Sequence, residues 1–186
     1  MIISPKEKWH WHQPQMALEN ILRLRQQFRR LQLPIFYIQH INIRNNATFF
    51  LPDSHGIELH PQLLPISTQT EWIIRKNFPN SFVQTDLLTQ LQKQAVEQLV
   101  ICGMMTHMCI DSTTRQAAEL NFQPILIADA CATRDLELNG ETIPAKTVQH
   151  SFIAALSFFA DIQFASQFLI HPMPKSFLKL FISHHK

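Results

Sequence analysis

Strand-like and helix-like stretches alternate along most of this chain, and this alternation limits the folds that it can adopt. Apolar residues three or four positions apart predict amphipathic helices over about residues 16–32, 85–98, 107–120 and 145–160. Apolar runs rich in β-branched side chains predict strands at residues 34–43, 71–76, 98–103, 124–131 and 162–164, with a long loop over residues 44–70. Strands that alternate with helices of this length form a parallel sheet covered by helices on both faces, so we predict an α/β fold.

Length, glycine content and charge exclude several functional classes. At 186 residues the chain is expected to form one domain, residues 1–186. Its three glycines are too few and too far apart for a dinucleotide-binding turn or a P-loop. A net charge of +2 and the lack of an apolar run of about 18 residues give no reason to expect nucleic acid or membrane as a partner. Three cysteines without Cys-x-x-Cys spacing, and no signal-peptide pattern, favour a cytoplasmic setting.

The segment from Gly103 to Cys109 joins a predicted strand to a predicted helix and contains the strongest candidate for chemistry. Cys109 would lie in the first helical turn, where unpaired N–H groups and the positive end of the helix dipole favour the thiolate. Ligands of parallel sheets bind beyond the carboxyl ends of the strands, and Lys76 and Asp129 end two other predicted strands. An amine there would stabilise the thiolate. The alternatives are a Cys109 that packs as a small apolar side chain and a Lys76 that is merely solvated.

Other polar residues nearby have simpler explanations. Thr106 is a suitable N-cap for the helix that follows it. His107 lies two residues before Cys109, and side chains two positions apart on a helix point in different directions. A substrate contact or a structural role is therefore expected for His107, rather than the role of the general base for Cys109. Ten histidines raise the question of a metal, but the pairs His10/His12 and His184/His185 lack further ligands at recognisable spacing. We expect no metal and no cofactor.

Taken together, these residues resemble the isochorismatase-like cysteine hydrolases, a superfamily that includes nicotinamidases and N-carbamoylsarcosine amidases. The resemblance covers most of the chain and is densest over residues 99–115 and 128–135, with further matches at residues 76–82 and 49–53. It implies a three-layer, Rossmann-like sheet flanked by helices and a hydrolase of small molecules that acts as a homo-oligomer.

The resemblance also implies roles for individual residues. Cys109 corresponds to the nucleophile, Lys76 to its cationic partner, and the Met104–Met105 bond to a non-proline cis peptide. The amides of Met105 and Cys109 would then form the oxyanion hole. Thr106 and His107 are candidate substrate contacts. Phe49, Phe50 and Phe82 could line an apolar substrate pocket or could equally belong to the core. Family members with a cysteine mostly cleave amide-type C–N bonds through a thioester, so this reaction is expected here.

The sequence departs from the family pattern at two places. Metal-binding nicotinamidases carry Asp-x-His after the second strand, whereas this chain has Gln39-His40-Ile41-Asn42, which argues against a metal and against nicotinamide. Family members also open with a central strand that ends in a catalytic aspartate. Residues 4–9 already resemble the loop after that strand, so the strand and its aspartate would precede Met1, and its neighbours would expose apolar flanks. The alternative is therefore a truncated or degenerate member that acts as a binding or oligomeric module.

Overall fold

The computed structural model describes residues 12–67, 69–170 and 178–183, and within these residues six parallel strands form one sheet. The strand order is β2-β1-β8-β3-β4-β7, and a separate antiparallel hairpin pairs β5 with β6. The strands are β1 (Ile35–His40), β2 (Glu71–Lys76), β3 (Gln98–Met104), β4 (Gln123–Ala132), β5 (Leu136–Leu138), β6 (Glu141–Ile143), β7 (Asp161–Gln163) and β8 (Leu178–Ser183). The expectations for residues 4–9, His10, His184 and His185 lie outside the described residues.

The four predicted helices are all present, with shifted ends. The helices are α1 (Pro14–Arg30), α2 (Leu87–Lys93), α3 (Asp111–Glu119), α4 (Ala145–Leu156) and a short α5 (Ala165–Ile170). Helix α2 ends earlier than predicted because Ala95 adopts a left-handed conformation, with φ of 48°, and the N–H of Val96 donates to the carbonyl of Leu91. Two 3₁₀ turns, His55–Ile57 and Pro61–Leu63, lie in the predicted loop. None of the described helices combines the length and the apolar composition of a membrane span.

Successive side chains of the central strands point to opposite faces of the sheet and form two separate cores. Tyr37, Val100 and Ile182 pack with α1 and α5 on one face. Phe36, Ile101 and Phe181 pack with α2, α3 and α4 on the other face. The predicted parallel sheet with helices on both faces is therefore confirmed, and both faces of its inner strands are closed to water.

The middle of the sheet differs from the expectation. Strand β7 near the predicted residues 162–164 is not the last one, because β8 follows it and inserts in parallel between β1 and β3. Ile38 and Ile101, on the strands beside β8, have no exposed surface. The expectation that the inner strands would expose apolar flanks was therefore wrong, since β8 covers them.

Gly103 makes the insertion of β8 possible. It pairs in register with Ser183 at the carboxyl end of β3 and has a φ of +127°. A Cβ on residue 103 would lie 1.9 Å from the backbone carbonyl oxygen of Ser183. Only a residue without a side chain allows the two backbones to approach this closely.

Replacing Gly103 by alanine should therefore destabilise the protein strongly. We expect Gly103→Ala to lower the free energy of unfolding by about 3 kcal/mol or more, because it combines a backbone clash with an unfavourable φ. Gly140→Ala is the matched control, since Gly140 also has a positive φ, of +80°, but nothing lies within 4 Å of an added Cβ. Denaturant unfolding measures both variants. Equal losses of unfolding free energy in the two variants would show that the backbone of β8 does not lie in close contact with residue 103.

Candidate active site

The ammonium group of Lys76 is buried at the carboxyl edge of the sheet. Lys76 ends β2 and is only 1% exposed. Its Nζ donates hydrogen bonds of 2.9 Å to the carbonyl of Phe78 and 2.7 Å to the carbonyl of Pro79. Burial lowers the pKa of this amine, and both the charge of Cys109 and a hydrogen bond to the Cys109 side chain raise it in opposition. The alternative of a solvated Lys76 is therefore wrong.

The third partner of the ammonium group is the side chain of Cys109. Cys109 lies in a π-helical turn, Thr106–Ile110, which continues β3 into α3, and it is 6% exposed. The carbonyl of Met105 accepts from the N–H groups of Met108 and Ile110, at 3.0 and 3.3 Å, and so anchors this turn. The Met104–Met105 peptide bond is cis, as the resemblance implied. The fold thus brings Cys109 and Lys76 together from strands that are three positions apart in the sheet.

Thr106 does not cap the helix. The residue at the N-cap position is Met105, and no side chain caps the turn. The Thr106 hydroxyl is fully buried and donates to Oε1 of Gln149 on α4, at 2.7 Å. Gln149 in turn donates to the carbonyls of Ala128 and Cys131, at 3.3 and 3.2 Å. The capping prediction was wrong because a buried hydroxyl found a partner across the fold, and this network ties the turn to β4.

The ring of His107 contacts Thr133 and helix α4. Its Nδ1 contacts the hydroxyl of Thr133, and its ring packs edge-on against Phe152 of α4 with 6.1 Å between centroids. Burial, followed by the positive charge of Arg134, lowers the pKa of His107 to about 4. A neutral ring in this position joins the turn to α4.

The three phenylalanines expected at the pocket fall into two groups. Phe50 lies 5.6 Å from the ring of His40, and Phe49 packs edge-on against Phe50 at 5.2 Å, so both lie in the loop beside the end of β1. Phe82 instead stacks on Phe122 with 6.1 Å between centroids and packs against the core formed by α2 and α3. A pocket role stays a prediction for Phe49 and Phe50, whereas the position of Phe82 favours packing.

His40 belongs to this site, although the sequence suggested no role for it. It ends β1 directly opposite Lys76 and is 7% exposed. Burial, with smaller effects from Lys76 and Arg44, lowers the pKa of His40 to about 4, so its ring is neutral near pH 7. The signal that could have found it was its position at the end of the strand next to the one that carries Lys76.

The described residues supply no carboxylate to this pair of groups. Asp129 lies within β4 rather than at its end, and its carboxylate binds backbone, since it accepts from the N–H of Ala165 at 2.8 Å. Burial and Cys109 shift the pKa of Lys76, and no carboxylate among the described residues contributes to this shift. In the same part of the chain, no group of three or more His, Cys, Asp or Glu side chains is arranged to hold a metal ion.

Comparisons with known proteins agree on one family. The isochorismatase domain model matches residues 2–153. An uncharacterized isochorismatase family protein, YddQ of Bacillus subtilis, is 40% identical over 166 residues, which cover 89% of this chain and 91% of that protein. A crystal structure from Oleispira antarctica, described as an isochorismatase hydrolase, has a TM-score of 0.78 at 39% identity and covers 85% of this chain and 83% of its own. Nicotinamidase 3 of Arabidopsis thaliana is 26% identical over 137 residues, 68% of this chain and 69% of that protein.

The two buried histidines of the site should make folding sensitive to mild acid. His40 and His107 both have a pKa of about 4 in the folded protein, below the roughly 6.5 of an unfolded chain. The unfolded chain therefore binds more protons than the folded protein between these pH values. The contribution of the two neutral histidines to stability is fully present above about pH 6.5 and is lost as the pH falls toward 4. We expect the free energy of unfolding to drop by about 1 kcal/mol per histidine between pH 7 and pH 5, allowing for solvent screening.

Urea unfolding at the two pH values measures this effect. His107→Gln removes one titrating ring while keeping a polar contact for Thr133, and should lose less stability at pH 5 than the parent does. His55→Gln is the control, because the His55 side chain is 96% exposed. A pH dependence unchanged by His107→Gln would contradict the assignment.

Proposed function

The chain belongs to the isochorismatase family of hydrolases, and on that premise we propose that it cleaves an amide-type C–N bond of a small molecule through a thioester on Cys109. The observation that carries the proposal is the buried contact between the Lys76 ammonium and the Cys109 sulfur. A lysine that is 1% exposed needs a negative partner, and a thiolate is the partner at hand. The anionic sulfur is the form that attacks carbonyl carbon.

The ion pair forms when the thiol proton of Cys109 passes to the amine of Lys76, whose pKa is lowered by burial. The reaction begins from this thiolate and ammonium. The thiolate then forms a bond to the carbonyl carbon of the substrate, and the carbonyl oxygen becomes an oxyanion. The N–H groups of Met105 and Cys109, at the start of the helical turn, are the donors proposed to stabilise this oxyanion. The C–N bond breaks, and the departing amine takes up the proton held by Lys76. Water finally cleaves the thioester to release the carboxylic acid and restore the thiol.

The surroundings of the sulfur favour a small, partly apolar substrate. Phe49 and Phe50 form an aromatic pair beside the end of β1, and Met104 and Met105 lie next to the turn that carries Cys109. An amide as the substrate class is supported by the cysteine itself and by the relationship to a protein named nicotinamidase. The sequence Gln39-His40-Ile41-Asn42 lacks the Asp-x-His ligands of the metal-binding nicotinamidases, so we propose a reaction that uses no metal.

A second candidate function is that of a degenerate family member that binds small molecules without turning them over. The observation that favours it is that no carboxylate of the described residues acts on the Lys76 charge. An acid in that position would share the proton transfers, and the loss of one member of a catalytic unit commonly lowers the rate by about 10⁴-fold. If the parent protein binds small amides and releases no product after prolonged incubation, this second function is identified.

Removing the sulfur should distinguish the two functions. We expect Cys109→Ala to lower hydrolysis of a panel of small amides by at least about 10³-fold, because the covalent route is lost. Cys102→Ala is the control, since Cys102 is fully buried in β3 and its thiol contacts the carbonyl of Phe181. Product formation measured by mass spectrometry, together with capture of an acylated Cys109, tests the route. Equal turnover by Cys109→Ala and the parent would remove the nucleophile assignment.

We also propose that the chain forms a homo-oligomer. Phe158 follows α4, Phe164 directly precedes α5 and Ile170 ends α5, and these side chains are 89%, 51% and 77% exposed. Large apolar side chains with this exposure are favourable contacts for a second copy. Sedimentation of the purified chain is expected to show a dimer or a larger assembly, and a monomer at micromolar concentration would contradict the proposal.

A further inference from the structure

We infer that His40 is a positioning residue, whose ring holds the Phe78 carbonyl that fixes the Lys76 ammonium against Cys109. This inference rests on the proposed function, because it gives His40 a part in preparing the same sulfur. His40 acts through Lys76 and is not assigned a contact with the substrate.

The backbone places His40 and Lys76 side by side. The two residues are partners in the parallel register of β1 and β2, and each is the last residue of its strand. Pairing continues one residue further, because the N–H of Ile41 donates to the carbonyl of Lys76 at 2.9 Å. The two side chains therefore leave the sheet at the same edge with fixed spacing.

One carbonyl group joins the two side chains. The ring of His40 makes a hydrogen bond to the backbone of Phe78 that raises the pKa of the histidine, so the ring donates and the Phe78 carbonyl accepts. The same carbonyl accepts from Nζ of Lys76 at 2.9 Å. A carbonyl oxygen has two lone pairs and can accept both donors. The His40 ring therefore restrains one of the two carbonyl groups that bind the ammonium group.

A second contact holds the ring itself in place. The centroids of His40 and Phe50 are 5.6 Å apart, and the loop that carries Phe50 is held to the segment just after β1 by a hydrogen bond of 2.8 Å from the N–H of Asn42 to the carbonyl of Phe50. His40 thus lies between the loop of the proposed substrate pocket and the turn that holds Lys76. With 7% exposure it has little freedom to change rotamer.

The charge state of the ring suits this role. Burial, Lys76 and Arg44 together lower the pKa of His40 to about 4, so near pH 7 the ring donates a hydrogen bond without carrying charge. A lysine or arginine at position 40 could make the same hydrogen bond, but it would put a second cation beside Lys76 and compete for the thiolate. A neutral donor orients the Phe78 carbonyl and leaves Lys76 as the cation that faces Cys109.

The rate at which iodoacetamide alkylates Cys109 at pH 7 tests the inference without any knowledge of the substrate. Burial raises the pKa of the Cys102 thiol and raises that of Cys131 to about 12, so both stay protonated at pH 7 and Cys109 is the thiol to be followed by peptide mass spectrometry. His40→Phe keeps a ring to pack on Phe50 but has no donor, whereas His40→Gln keeps a donor. We expect at least fivefold slower alkylation for His40→Phe and a rate within twofold of the parent for His40→Gln. His55→Phe, at an exposed position, is the control and should react as the parent does.

Lys76→Met separates failure of this inference from failure of the proposed function. If His40 acts through Lys76, alkylation slows in Lys76→Met, and the double variant with His40→Phe is no slower than Lys76→Met alone. If alkylation is slow in Lys76→Met but His40→Phe reacts at the parental rate, the positioning role is overturned and the ion pair remains supported. The same conclusion follows if alkylation is slow in Lys76→Met but His40→Phe and His40→Gln react at equal rates. A parental rate for Lys76→Met instead overturns the pairing of Lys76 with Cys109, on which the proposed function depends.

Discussion

A charged amine at the bottom of a nearly closed site can remain charged only if protein groups replace the water that it has lost. Lys76 meets this requirement with two carbonyl oxygens and one sulfur, and the carbonyls and the sulfur are positioned for different structural reasons. The carbonyls of Phe78 and Pro79 belong to the turn directly after β2, so they are local. The sulfur of Cys109 is distant in sequence and arrives only when β3 and the π-helical turn are in place. The chemistry proposed for the site depends on this arrangement.

The sheet provides the rigid edge on which the arrangement is built. Strand β8 fills the space between β1 and β3, so the strands that carry His40 and the Cys109 turn are held at a fixed separation. Gly103 permits the close approach of Ser183, and the Ser183 hydroxyl donates to the carbonyl of Met104 at 3.2 Å. The same strand therefore completes both cores and anchors the backbone that precedes Cys109. Stability and the geometry of the site are coupled through one element.

Sequence patterns located most elements, and the errors have identifiable physical causes. Long periodic helices such as α1 and α4, and the buried strands β3 and β4, are specified by local patterns of apolar residues. Strand β8 was missed because six residues that include Lys179 carry a weak local signal, and their pairing is decided by partners far away in the chain. The role of Thr106 was mistaken for the same reason, since its partner Gln149 lies on another helix.

The sequence alone determined that Cys109 lies in the first helical turn after a buried strand and that Lys76 ends another strand, because both facts follow from local periodicity and from where apolar runs stop. The resemblance to known hydrolases supplied their expected roles. Only the tertiary structure decided that the sulfur and the amine are in contact, that His40 shares a carbonyl with Lys76, and that Phe82 faces the core. Those relationships depend on strand order and register, which are set by long-range packing of both faces of the sheet and are not encoded in any short segment.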